Sequence, residues 1–277
     1  MTTRHDRLMT WAALLLLAVI CVVFVSLGRW QLRRAEERKA IAAQIDSGRK
    51  GSPLFLSATL APSSLKAWLP AIAEGRWMPE LSLLIDNRNQ EGRPGLWLAT
   101  PLMLKDGSAV LVLRGWLPRM IDGLTVDPAS EEAKNIALIK QVVGGNEEQI
   151  VTGELAEHVP RLFEIWRLSG PAGQGTLPKG WPQQQAGSHQ PSLESLPRVQ
   201  NIELIDLKTA TGLNFISTVL LQTDTKADGL SRSWPQPSID SDKNQGYALQ
   251  WFGFATIALI AWVVIAFKAY YRTKRED

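Results

Sequence analysis

The chain has 277 residues, a formal net charge of +3 and hydrophobic side chains at 45% of its positions. Cations and anions are too evenly interleaved for a nucleic-acid surface. The single cysteine, Cys21, rules out a disulfide framework and a thiolate metal site.

In chain order, the first feature is an apolar run without a charge from Leu8 to Leu27, and its counterpart runs from Tyr247 to Phe267. At about 1.5 Å rise per residue, each is long enough for a hydrocarbon core of roughly 30 Å. A secretory signal is a weaker account of the first run, which is longer than a signal core and ends in only a loose cleavage pattern at Ser26-Leu27-Gly28. The expectation is therefore a membrane hairpin: transmembrane helices over 8–27 and 247–267, an extramembrane domain over 28–246, and a tail over 268–277. The fold class expected for that domain is mainly antiparallel β (α+β).

Positive charge near the apolar runs is balanced between the two sides. Arg4, Arg7, Lys268, Arg272, Lys274 and Arg275 stand against Arg29, Arg33, Arg34, Arg38, Lys39 and Lys243. The second run alone favours a cytoplasmic C-terminus. Both termini are accordingly expected in the cytoplasm, with the domain in the periplasm or an intermembrane space.

Directly after the first run, Gly28 to Ile45 reads as an exposed helix continuing the span and stopped at Ser47-Gly48. Strand-like segments follow at Leu54–Leu60 and Leu81–Asp86. The sharpest local signal spans Leu96 to Leu117, where Asp106-Gly107 separates two apolar β-prone runs. It predicts an antiparallel hairpin with a two-residue turn and positive φ at glycine. Further strands are expected at Ile150–Leu155, Leu162–Leu168, Val199–Leu207 and Asn214–Gln222, with a helical turn near Lys208–Leu213. Gly170–Pro197 is rich in Gly, Pro, Gln and Ser and reads as a loop. The pattern suggests a sandwich or open barrel with few helices.

Catalytic signatures are missing. Gly170-Pro171-Ala172-Gly173-Gln174-Gly175 has neither the spacing nor the context of a phosphate loop, and no nucleophile elbow is present. Between the apolar ends the histidines are His158 and His189, with no carboxylates clustered at ligand spacing. No catalytic residue and no metal ligand are assigned, and the chain is not expected to be an enzyme.

Four blocks carry a resemblance. They are Gly28-Arg29-Trp30-Gln31-Leu32 with Arg34; Asn87-Arg88 with Gly92-Arg93-Pro94-Gly95 and Thr100-Pro101-Leu102; Val110 to Pro118, which contains Arg114-Gly115-Trp116; and Gly246 to Phe252. In order and spacing they resemble the Surfeit locus cytochrome c oxidase assembly family. The resemblance implies an inner-membrane protein, here of the bacterial plasma membrane, that helps mature the large subunit of a haem-copper oxidase. It implies haem a as a transient ligand, and the oxidase large subunit, haem a synthase and membrane lipid as partners, with no nucleic acid. Relatives commonly offer a histidine three residues before the tyrosine of the last block, a candidate haem contact. Here that position is Asn244, and an amide does not replace imidazole as an iron ligand.

Candidate site residues divide into two groups. Tyr247, Gln250, Trp251 and Trp30 are candidate haem contacts. Their plainer reading is an interfacial aromatic belt, although an amide such as Gln250 at that depth calls for a polar partner. Arg88 and Arg114 are candidate contacts for a haem propionate or a partner carboxylate, and Arg114-Gly115-Trp116 reads equally well as a cation–π packing unit. A rival of another class, a surface-polysaccharide chain-length regulator, requires long heptad helices in the loop, whereas this loop reads as short strands.

Overall fold

Helix α1 runs from Arg4 to Arg49 and helix α4 from Ser241 to Glu276. Both belong to a computed structural model that describes residues 4–119, 130–143, 145–160, 177–182 and 192–276. Both helices are long and apolar enough to cross a membrane by length and composition. The chain divides into two units: Met1–Gln44 with Gln236–Asp277, and Ile45–Pro235.

In the first unit, α1 and α4 form an antiparallel pair. The buried and half-buried positions of α1 include Leu14, Leu17, Cys21, Phe24, Gly28, Gln31, Ala35 and Arg38, a strict alternation of three and four. Asn244, Ala248, Trp251, Ala255 and Ala258 answer them on α4. This 3.5-residue repeat is the spacing of a coiled-coil seam. A β-carbon at Gly28 would lie 2.7 Å from the Phe252 ring, so a side chain there would require that ring to move. Away from the seam both helices expose apolar side chains.

The second unit is an eight-stranded mixed sheet. Its strands are β1 (Leu54–Phe55), β2 (Pro70–Trp77), β3 (Leu83–Gln90), β4 (Arg93–Leu104), β5 (Ala109–Pro118), β6 (Glu148–Ala156), β7 (Arg198–Val199) and β8 (Phe215–Gln222). Helices α2 (Glu131–Val143) and α3 (Leu204–Thr211) accompany them. The order is β1-β2-β6-β8-β5-β4-β3-β7, and an added pairing of β2 with β4 closes β2, β6, β8, β5 and β4 into a ring. Alternate residues fill it. Ala71, Ala73 and Trp77 meet Leu102, Leu104, Val110, Val112, Val151, Leu155, Ile216 and Leu220 inside. The opposite faces of β3, β4, β5 and β8 form a second cluster with Leu207 of α3. Ile139 and Val143 of α2 close a third with Leu96, Leu98 and Leu117.

The expected hairpin is present as β4 and β5, with Met103 opposite Ala109 and Gly107 at φ +82°. Its connection is a three-residue loop, Lys105 to Gly107, rather than a two-residue turn. The Gly107 amide donates to the Leu104 carbonyl at 3.0 Å, and the Leu104 amide donates to the Ser108 carbonyl at 2.8 Å. Asp106 accepts from the Ser108 amide and hydroxyl, which hold its carboxyl below the usual aspartate range.

Several expectations need correction. Most pairings among the described strands are antiparallel, as expected, but β1–β2, β3–β7 and β5–β8 pair in parallel, so the sheet is mixed. Of Leu54–Leu60 only Leu54–Phe55 is strand. Most of Val199–Leu207 does not extend either: Leu204–Thr211 is helical, with Leu207 buried and Gly212 in the left-handed conformation that caps it. The expected strand at Leu162–Leu168 lies outside the described residues, as do His189 and most of Gly170–Pro197. Helix α1 is continuous to Arg49, slightly past the expected stop.

Gly107→Val should lower the stability of the β unit by about 1 kcal/mol or more, because a β-branched residue is strained at positive φ. Gly107→Asn should lose much less. Chemical unfolding monitored by tryptophan fluorescence gives both values, and equal losses would place the strain elsewhere.

Candidate functional site

The most chemically distinctive part of the helix pair lies around Gly28 and Asn244. Asn244 Nδ2 donates to Gln31 Oε1 at 2.7 Å, while Asn244 Oδ1 is buried without a partner. One turn on, Arg38 donates to the Asp240 carbonyl at 2.7 Å. In the other direction Phe24 stacks against Trp251 at 5.5 Å and Phe254 at 5.7 Å. The Cys21 thiol points at the Ala255 carbonyl, 3.7 Å away.

Seam register fixes where the first group of candidates lies. Trp251 is half-buried in the seam itself. Tyr247 and Gln250 are exposed on α4, Tyr247 at 52%, and Trp30 is 46% exposed on α1. In an antiparallel seam the positions flanking the core on one helix face their equivalents on the other. By this register Tyr247 and Phe254 flank the seam on one side of the pair, Trp251 lies in the seam, and Trp30 and Gln250 lie further round toward that same side. That side offers indole and phenol faces with one free amide and no imidazole. It suits a flat apolar ring through packing, and Asn244 supplies no iron ligand there.

Arg88 and Arg114 are placed very differently, within the β unit. Arg88 is 4% exposed; its guanidinium sits 4.7 Å from the Trp97 ring centre and donates to the Gln200 carbonyl at 3.1 Å. Arg114 is 5% exposed; it lies 4.4 Å from the Trp77 ring centre and donates to the Val142 carbonyl of α2 at 3.1 Å. Burial pushes both guanidinium pKa values down to about 10, partly offset by Asp86 for Arg88 and by Asp228 for Arg114. Each keeps a buried Nε without a partner. Neither guanidinium faces the surface, and the geometry is that of an inward cation–π unit.

Between them stands Trp116, whose indole donates to the Arg88 carbonyl at 2.7 Å. Its backbone exchanges two hydrogen bonds with Ser231, and Arg93 approaches its ring at 5.9 Å. The second and third sequence blocks thus meet in one packed knot. Sequence reasoning missed its remaining members: Trp234, edge-on to Trp97 at 5.3 Å and donating to the Gln222 carbonyl, and the buried Arg232–Asp228 pair. Their signal was the run of tryptophan and charge at 228–234, which no motif marked. Among the described residues, no group of three His, Cys, Asp or Glu side chains is placed to hold a metal ion.

The four blocks span both units, and so does the match to known proteins. The sequence model of the SURF1 family matches residues 18–256. The chain belongs to the SURF1 family. A similar protein is the cytochrome oxidase assembly protein SHY1 of Saccharomyces cerevisiae (strain ATCC 204508 / S288c), 26% identical over 99 residues. That alignment covers 35% of this chain and 25% of the yeast protein, so only about a quarter of the relative's length is matched. SURF1-family membership takes in the seam from Ala18 onward and the whole Arg–Trp knot, and ends within α4 at Thr256.

A double-mutant cycle on Trp77→Ala and Arg114→Ala should give a coupling of about 1–2 kcal/mol, as expected for a desolvated cation–π pair. Additive losses in urea unfolding would mean that the two side chains stabilise the ring independently.

Proposed function

We propose that this chain is a membrane-anchored, non-catalytic assembly factor for a haem-copper cytochrome c type oxidase, acting on maturation of the large subunit. The observation that carries the reading is membership of the SURF1 family across residues 18–256, joined by likeness to a protein named for cytochrome oxidase assembly. The two long apolar helices are read as a transmembrane hairpin in a bacterial inner membrane, with both termini cytoplasmic. Haem a is the proposed cargo, held briefly during transfer. The oxidase large subunit and haem a synthase are the proposed protein partners.

The proposed contact is the shared side of the helix pair. Porphyrin is a flat apolar ring with acidic propionates, and Tyr247, Trp251 and Trp30 offer aromatic packing beside the Gln250 amide. With Asn244 in the position where relatives carry histidine, affinity rests on packing rather than axial ligation. Arg88 and Arg114 enter the reading as positioning groups of the β unit, since pairing with a propionate requires each to leave its tryptophan. The chain-length regulator is not favoured: the described helices between α1 and α4 are only 13 and 8 residues long.

Deleting the gene should remove the haem a band from membrane spectra, and restoring the chain should return it. Tyr247→Ala with Trp251→Ala should restore it only partly, and Asn244→His should raise the haem a recovered with the purified chain. Full rescue by the aromatic double variant would displace the site. For topology, a reporter active only outside the cytoplasm should work when fused near Lys105 and fail after Asp277. The opposite pattern would reverse the orientation.

A further inference from the structure

The face of α1 turned away from α4 carries a feature that neither the seam nor the aromatic side uses. Leu8, Trp11, Leu15, Val19 and Val22 are all exposed and recur at steps of three and four, forming one apolar stripe. The stripe continues through Ser26 into Arg29 and Arg33, on the side of the helix opposite Gly28, Gln31 and Ala35. Arg29 and Arg33 are exposed, and among the described residues they make no ion pair or hydrogen bond through their side chains. Nearby cations are engaged: Arg34 pairs with Glu37 at 3.3 Å, and Arg38 donates to the Asp240 carbonyl.

We infer that Arg29 and Arg33, at the end of this stripe, form a headgroup site for an anionic phospholipid; the Ser26 hydroxyl beside them is already donated to the Val22 carbonyl at 2.8 Å. The inference rests on the membrane-anchored reading above. A lipid on this face lays an acyl chain along Val19 and Val22 and brings its phosphate to two guanidiniums one turn apart. Guanidinium is planar and bidentate toward phosphate oxygens, and at the edge of the hydrocarbon it is only partly solvated. Trp30, the next residue after Arg29, is an amphipathic ring at headgroup depth. Glu36 lines the same shallow depression as Arg29 and Arg33, so two guanidiniums face one carboxylate there, and an anionic headgroup balances the remaining charge. An acidic peptide would satisfy the charges without using the stripe that leads to them.

The test uses the full chain, expressed in membranes and reconstituted in nanodiscs of phosphatidylcholine with a minority of phosphatidylglycerol. Lipid retained through purification should be enriched in phosphatidylglycerol on the order of tenfold. Arg29→Gln with Arg33→Gln should bring the ratio near that of the bulk, and Arg34→Gln with Lys39→Gln should leave it high. An unenriched wild type, or full enrichment in the first double variant, overturns the site. Displacement of the lipid by inorganic phosphate would make this a free-phosphate site and overturn the lipid assignment. Retention of the chain in alkali-washed membranes is read in parallel. A chain that washes off defeats the membrane reading and this inference with it, whereas a chain that stays but shows no enrichment defeats the headgroup site alone.

Discussion

One indole organises the β unit. Trp116 sits near the end of β5, yet its ring nitrogen reaches the backbone of β3 and its own backbone is bridged to Ser231 beyond β8. An N–H placed in an apolar interior must find an acceptor, and the Arg88 carbonyl provides it. That carbonyl is available because Ile85 and Arg88 flank an irregularity in the β3–β4 ladder, with Asn87 at positive φ between them. The same irregularity turns the Arg88 guanidinium onto Trp97. One hydrogen bond, one ladder break and one stacked cation are thus a single arrangement, and losing the indole would remove a cross-strand tie as well as leave a cavity.

How much of this was legible depended on whether the physics was local. The β4–β5 hairpin was readable because Asp106-Gly107 and its flanking runs lie within one window. Strand β2 was not: its inward residues are Ala71, Ala73 and Trp77, and alanine carries little β preference on its own. Residues 204–211 look β-prone by composition, but burial of Leu207 and the Gly212 cap select a helix. Helix α2 had readable signals in Ile136, Ile139 and Val143 after Ser130, whose hydroxyl accepts from the Ala133 amide. The parallel β3–β7 and β5–β8 pairings were invisible, since they join segments far apart in sequence, and β1 is only Leu54–Phe55, too short to announce its pairing with β2.

The candidate site divides along the same line. Aromatic spacing on α4 and the Arg-Gly-Trp block were visible as residue types. Their surroundings were not, because burial is a property of the finished packing. The seam of α1 was in principle legible, since Leu14, Cys21, Gly28 and Ala35 repeat every seven residues. Hydrophobicity alone concealed it: in a run where nearly every residue is apolar, the seam is marked by small size rather than by polarity.

Closure of the ring also sets an order of events. Strand β2 begins at Pro70, but its ladder partner β6 and the parallel neighbour of β5, β8, lie far downstream, at Glu148–Ala156 and Phe215–Gln222. Until β8 has been made, β5 lacks one neighbour and the apolar faces of β4 and β5 stay open to water. Such long-range pairings are kinetically slow, because chain entropy is lost before the contacts repay it, and unpaired strand edges meanwhile attract other chains. The ring is therefore complete only with its last strand, and the locally paired β4–β5 hairpin has its free edge covered by a segment much later in the chain.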